Sequence, residues 1–244
     1  MRMKMRIAIC YNDNLYLNSI MKEEVWDINK TPHLAISGKT GTGKTVFCKI
    51  IMGQILKNRQ KSNITICDFK GDKDYAFLEG YSRYYRFEDV KKGFDDFYNN
   101  FLDKQRTRDE KPTFLFFDEW ASFLNFCDKK EAEAYKQKLA NMLMLGRSLN
   151  VHIILSQQRL DAEYFAKSRD NFGGIIVLGN PSKEVISMFF SDYKEEIIGD
   201  RMQGTGYMLV DGSRFVKIRV PYFKDMEYLN THIKNSLCDM EGKA

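Results

Sequence analysis

The run Gly38-Lys39-Thr40-Gly41-Thr42-Gly43-Lys44-Thr45 constrains the chain more than any other stretch. An apolar segment, residues 34–37, precedes it, and a helical pattern follows from Thr45. Strand, glycine-rich turn and helix in that order, with the spacing G-x-x-x-x-G-K-T, form a phosphate-binding loop. Glycine lets the backbone wrap a phosphate closely, because no Cβ blocks the approach and positive φ costs little. The amides then face the anion at a helix N-terminus, where partial positive charge favours it. All eight residues are candidates to cradle a nucleotide's phosphates, with Lys44 reaching the terminal ones and the Thr45 hydroxyl placed to ligate magnesium.

Around this loop, short apolar runs alternate with helical patterns. Strands are expected over residues 6–10, 15–17, 34–37, 63–67, 83–87, 113–117, 151–155 and 174–178. Helices are expected over 45–57, 89–106 and 129–145, the last stopped by Gly146, with a helical turn at 75–78 and a short helix at 181–190. Residues 206–220 read as a hairpin turning at Asp211-Gly212. Such alternation gives an α/β fold with a mostly parallel central sheet, helices on both faces and a C-terminal β-hairpin. The expected organisation is a β prelude over 1–30, a nucleotide domain over 31–225 opening at Thr31-Pro32, and a tail over 226–244 that frays from Asp239.

A net charge of +5 suits a nucleic-acid partner without demanding one. The five cysteines are odd in number and lack C-x-x-C spacing, which fits a reduced, intracellular compartment better than a disulfide framework. His33, His152 and His232 are scattered and suggest no metal cluster. The apolar runs fall short of the ~20 residues that span a bilayer, and the basic start at residues 1–6 precedes too short an apolar run for a leader peptide. The expected location is the cytoplasm, any membrane attachment coming through a partner.

The second half of a hydrolytic site lies about 70 residues beyond the loop. The strand Phe114-Leu115-Phe116-Phe117 delivers Asp118 and Glu119 at its C-terminal end, the edge where open α/β sheets bind ligands. Asp118 is placed for the magnesium shell, and Glu119 to position or deprotonate a water for attack on the γ-phosphorus. Gln157, after the strand 151–155, is a candidate γ-phosphate sensor; the alternative is a loop-capping amide. Arg147 reads either as a structural cation at a helix end or as an arginine finger for a neighbouring subunit.

These residues resemble the FtsK/HerA superfamily of DNA-pumping ATPases. The resemblance runs from about Thr31 to Asn180, over the phosphate loop, Phe116-Phe117-Asp118-Glu119-Trp120-Ala121, and Gly146-Arg147-Ser148-Leu149-Asn150 with Ser156-Gln157-Gln158-Arg159. It implies a RecA-like P-loop NTPase core, assembled as a hexameric ring, that uses ATP and Mg2+ to move double-stranded DNA. It also implies that Lys44 and Thr45 bind phosphate and magnesium, that Asp118 and Glu119 are the Walker B pair, that Gln157 is the sensor, and that Arg147 acts in trans. Asp68-Phe69-Lys70 is similar to the family's acidic-x-Lys segment, with no firm role. The family's usual Asp-Glu-Phe becomes Asp118-Glu119-Trp120, and its membrane helices and winged-helix domain have no counterpart in these residues. The resemblance is to small members carried by Gram-positive conjugative elements.

The expected function is therefore a conjugative DNA-translocase ATPase, partnered by a relaxase or a membrane-anchored transfer protein. The alternatives are a nucleotide-dependent adaptor with little hydrolysis of its own, and a viral-type packaging ATPase. Lys70, Lys73, Lys91, Lys92, Arg106 and Arg108 are candidates for DNA phosphates, the plainer reading of each being a solvated surface charge.

Overall fold

The computed structural model describes residues 5–57, 62–165 and 168–241, the side chains of 239–241 aside. Most of the basic start, residues 1–4, lies outside the described residues, as do 242–244 of the stretch expected to fray. In chain order the elements are β1 (Arg6–Asn12), α1 (Asp13–Leu17), β2 (Glu23–Asp27), β3 (Leu34–Ser37), α2 (Lys44–Lys57), β4 (Asn63–Asp68), β5 (Tyr84–Arg86), α3 (Val90–Thr107) and β6 (Thr113–Asp118). Then follow α4 (Trp120–Phe126), α5 (Lys129–Leu149), β7 (Val151–Gln157), β8 (Gly174–Leu178), α6 (Lys183–Phe189), β9 (Thr205–Val210), β10 (Arg214–Arg219) and α7 (Met226–Glu241).

One ten-stranded sheet runs β2-β1-β10-β9-β8-β3-β7-β6-β4-β5. The half from β8 to β5 is parallel, and β9, β10, β1 and β2 extend it with antiparallel pairings. The central strands are apolar throughout because both faces are covered. Alternate side chains enter two cores: Ile36, Phe114 and Ile154 pack with Phe47 and Ile51 of α2 and Leu229 and Ile233 of α7. On the other face Ala35, Leu115 and Leu155 pack with Phe94 of α3, Trp120 of α4, and Tyr135 and Leu139 of α5.

Three expectations need correction. Residues 15–17 are helical, not extended: the Asn12 side chain accepts from the Leu15 amide at 3.1 Å and caps α1, so the strand beside β1 is β2 instead. Gly146 does not stop α5. It lies within the helix, where a Cβ would fall 2.8 Å from both His33 Cε1 and the Val151 carbonyl oxygen, so this glycine serves close packing. Termination falls to Asn150, left-handed at φ 57°. Finally, the stretch from Met226 forms α7, which covers α2.

Candidate functional site

The register of the parallel strands assembles the site at one edge of the sheet. Ser37, the last residue of β3, pairs with Gln157 at the end of β7; Asp118 at the end of β6 pairs with Ser156; and Asp68 at the end of β4 pairs with Asp118. The phosphate loop leaves Ser37 at that edge and enters α2. Gly41 and Gly43 have φ of 83° and 99°, the left-handed region that the wrap requires. At Gly38 the need is close approach: a Cβ would lie 2.7 Å from the Leu178 carbonyl oxygen. The Lys44 ammonium donates to the Gly38 carbonyl at 2.8 Å and lies 3.4 Å from that of Lys39, spanning the loop it is expected to serve. Thr42 Oγ1 donates to the Lys39 carbonyl at 2.8 Å.

Asp118 stands in a nearly closed environment. Burial pushes its carboxyl up to about 7; the charges of Glu119 and Asp68 act in the same direction, and the Ser156 hydroxyl and Lys44 oppose them. Asp118 Oδ1 and Ser156 Oγ are both buried without a hydrogen-bond partner. A buried carboxylate oxygen without a partner, within reach of the Lys44 charge, fits a hard cation with oxygen ligands. Thr45 and Asp118 are the residues that would hold magnesium.

Glu119 is buried, left-handed at φ 63°, and caps α4. Its Oε1 lies 2.9 Å from Lys70 Nζ, and its Oε2 accepts from Ser122 Oγ at 3.2 Å. Lys70 belongs to the acidic-x-Lys segment. The Asp68 carboxylate holds that loop, accepting from Gly71 N at 2.9 Å, Asp72 N at 2.7 Å and Tyr84 Oη at 3.1 Å. The Phe69 ring packs on Phe123 and Phe126 of α4, tying the loop to the helix that Glu119 opens. The sequence left Lys70 without a role because its partner lies 49 positions away; the structure pairs the two.

Gln157 is fully buried. Its Oε1 accepts from the Ala121 amide at 3.2 Å, so it does hold the start of α4, while its Nε2 is buried without a partner. Arg147 is not brought to this edge. It sits exposed in the last turn of α5, beside the start of β7. Six residues of β7 separate it from Gln157, a span of about 20 Å.

The candidate DNA cations do not converge. Lys91 pairs with Glu131 at 3.0 Å, Lys92 with Asp96 at 2.5 Å, and Arg106 with Asp103. Lys91 and Arg106 stand near opposite ends of α3, a helix about 27 Å long, and Arg108 caps its far end. Lys70 is committed to Glu119, and Lys73 lies nearby in the 3-10 turn Lys73–Leu78.

Sequence reasoning missed a second component. A cavity of about 630 Å³ adjoins Gly43 and Val46, walled by Tyr11, Tyr16, Arg219, Tyr222 and Phe223 among others. No local motif announces it, since its walls come from both ends of the chain.

Comparison with known proteins agrees with this geometry. Residues 26–167 match the family described as "Helicase HerA, central domain". The FtsK domain-containing protein YdcQ of Bacillus subtilis (strain 168) is 28% identical over 242 residues, covering 91% of this chain and 50% of YdcQ. The chain thus spans about half the length of that curated relative. The cytoplasmic domain of the type VII secretion ATPase EccC from Thermomonospora curvata superposes with a TM-score of 0.71 at 19% identity, covering 96% of this chain and 31% of EccC. The pCW3 conjugation coupling protein TcpA, solved as a monomer form with ATPγS, superposes with a TM-score of 0.67 at 18% identity, covering 96% of this chain and 71% of TcpA. The fold is that of the P-loop ATPases. Among the described residues no helix is long and apolar enough to cross a membrane.

Proposed function

The chain belongs to the helicase HerA central-domain family, and from that premise we propose that it is an ATP-hydrolysing motor that translocates double-stranded DNA as a hexameric ring, serving conjugative transfer. One observation carries this reading. Lys44, Thr45, Asp118, Glu119 and Gln157 share one sheet edge, whereas Arg147 stands exposed at the opposite edge. A cation there serves the phosphate site of a neighbouring copy, as a ring requires. The likeness to a conjugation coupling protein supports the transfer role, with a relaxase or a membrane-anchored transfer protein as partner and the cytoplasm as the place of action.

In turnover Lys44 exchanges the Gly38 carbonyl for the terminal phosphates. Glu119 orients the attacking water and accepts its proton, and Gln157 hydrogen-bonds the γ-phosphate through the amide nitrogen that lacks a partner here. Arg147 of the adjacent copy offsets charge on the transferring group. Magnesium, when bound, supplies charge neutralisation on the phosphates. One observation favours the adaptor reading: the carboxylate of Glu119 is engaged at both oxygens.

The test is ATPase rate against protein concentration, with and without duplex DNA. The motor reading expects a rate that rises with concentration and with DNA, both responses lost in Arg147→Ala. A rate indifferent to every form of DNA sinks translocation. Negligible turnover combined with nucleotide-dependent capture of a relaxase establishes the adaptor.

A further inference from the structure

The turn between α1 and β2 presents apolar side chains to solvent. Leu17, Ile20 and Met21 are 68%, 54% and 66% exposed, and no residue from 17 to 21 is charged. The turn is nonetheless fixed by main-chain bonds. The Asn18 and Ile20 amides donate to the Leu15 carbonyl at 3.0 and 2.9 Å, and the Ser19 amide donates to that of Tyr16 at 2.9 Å. A fixed backbone carrying uncharged, exposed side chains suits a contact surface, because little order remains to be imposed on it.

This turn adjoins the phosphate site. Met21 shares with Gly43 the walls of the cavity beside the phosphate loop. Met202, also exposed, is held on the same side: its neighbour Arg201 pairs with buried Asp13 of α1, and Gly204 N donates to the Thr42 carbonyl at 3.1 Å.

A second apolar patch lies at the other edge of the sheet. Met144 and Leu145, near the end of α5, are 54% and 45% exposed. Met144 is three residues before Arg147 and so shares its helix face, about 5–6 Å away between Cβ atoms. An Arg147 that reaches a neighbour's phosphate site therefore carries Met144 and Leu145 with it, onto the surface that borders that site. One border is the 17–21 turn. The two patches differ in sequence and lie apart, so their pairing is a head-to-tail contact, the kind that closes into a ring.

We propose that the 17–21 turn is the receiving surface for the α5 end of a second copy of this chain, with Met144 and Leu145 packing on Leu17, Ile20 and Met21 as Arg147 enters the phosphate site. The proposal rests on the reading of Arg147 as acting in trans. It places half of the contact in a segment outside the family match over residues 26–167.

Sedimentation velocity with ATP present, and ATPase rate, both on the full chain, test it. Ile20→Asp and Leu145→Asp each put a charge into the contact. Each is expected to weaken self-association at least about tenfold while ATP binding by calorimetry stays at the wild-type value. Mixing the two variants is the decisive arm. The Leu145→Asp chain keeps an intact receiving turn and the Ile20→Asp chain an intact α5 end. Their mixture therefore regains paired species and concentration-dependent turnover that neither variant has alone. Variants that associate as wild type does, or a mixture that does no better than its components, overturn the pairing of these patches. A wild-type rate that still rises with concentration and falls in Arg147→Ala then leaves the shared site standing. A wild type that stays monomeric with a flat rate removes the ring reading, and this contact with it. Leu17→Asp, at the most exposed of the three turn positions, repeats the first arm where Ile20→Asp folds poorly.

Discussion

Lys70 Nζ lies 2.9 Å from Glu119 Oε1, an ion pair between a half-exposed loop lysine and a buried carboxylate at the mouth of the phosphate site. With Ser122 on the other oxygen, the carboxylate proposed to accept a proton from water is held by two donors. Lys70→Met is expected to raise DNA-free ATP turnover severalfold with KM unchanged, whereas Lys70→Arg behaves as wild type. Steady-state phosphate release measures both, and a fall in kcat for Lys70→Met means that the lysine assists the carboxylate rather than restraining it.

Lys44 and Glu119 separate binding from chemistry. Lys44→Ala removes the cation that spans the loop and is expected to abolish measurable ATP binding by calorimetry. Glu119→Gln keeps the shape but loses the proton acceptor, so ATP still binds while turnover falls by about 10²–10⁴-fold. Loss of binding in Glu119→Gln contradicts this division.

Gly146 tests helix packing. A Cβ there meets the His33 ring and the Val151 carbonyl, and α5 cannot retreat without disturbing β7. Gly146→Ala is expected to cost about 1–3 kcal/mol in urea denaturation, despite alanine's better helix propensity. An unchanged or raised midpoint refutes the packing argument.

His33 governs part of the acid response. Burial, reinforced by the neighbouring His152, lowers its pKa from 6.5 to about 3, with the Leu143 carbonyl pulling the other way. Its Nδ1 accepts from the Ile153 amide at 3.1 Å, a role a protonated ring cannot fill. Between those pH values the unfolded chain holds a proton that the folded chain refuses. Stability is therefore whole above about pH 6.5 and falls as pH drops toward 3, by up to about 1.4 kcal/mol per unit. Urea titrations at several pH values are expected to show this slope in wild type and a shallower one in His33→Asn.

The phosphate loop and the acids of β6 were legible in the sequence because each is a local arrangement, with the spacing itself carrying the geometry. The central strands were legible for a similar reason, their apolar runs being continuous. Residues 15–17 were misread because three residues hold too little periodicity to outweigh a capping Asn12. Gly146 was misread because a glycine that allows close approach looks the same in sequence as one that ends a helix. The helix α4 escaped notice, beginning immediately after the left-handed Glu119, whose backbone a sequence pattern does not display. The Lys70–Glu119 pair and the cavity beside Gly43 were invisible for a further reason: both join residues far apart in the chain.

Tyr11 of β1 pairs with Arg219 of β10 across more than two hundred intervening residues. On a ribosome, β1 meets β2 early, but its other edge stays unpaired until β10 has been made, while the parallel half of the sheet has its strands in hand sooner. So long a closure is slow and leaves one edge of β1 open to wrong partners meanwhile. The β1–β10 pairing also brings Tyr11 and Arg219 into one wall beside the phosphate loop. A nascent chain has the residues of its phosphate cradle early, and the chamber next to it only once β10 has been made.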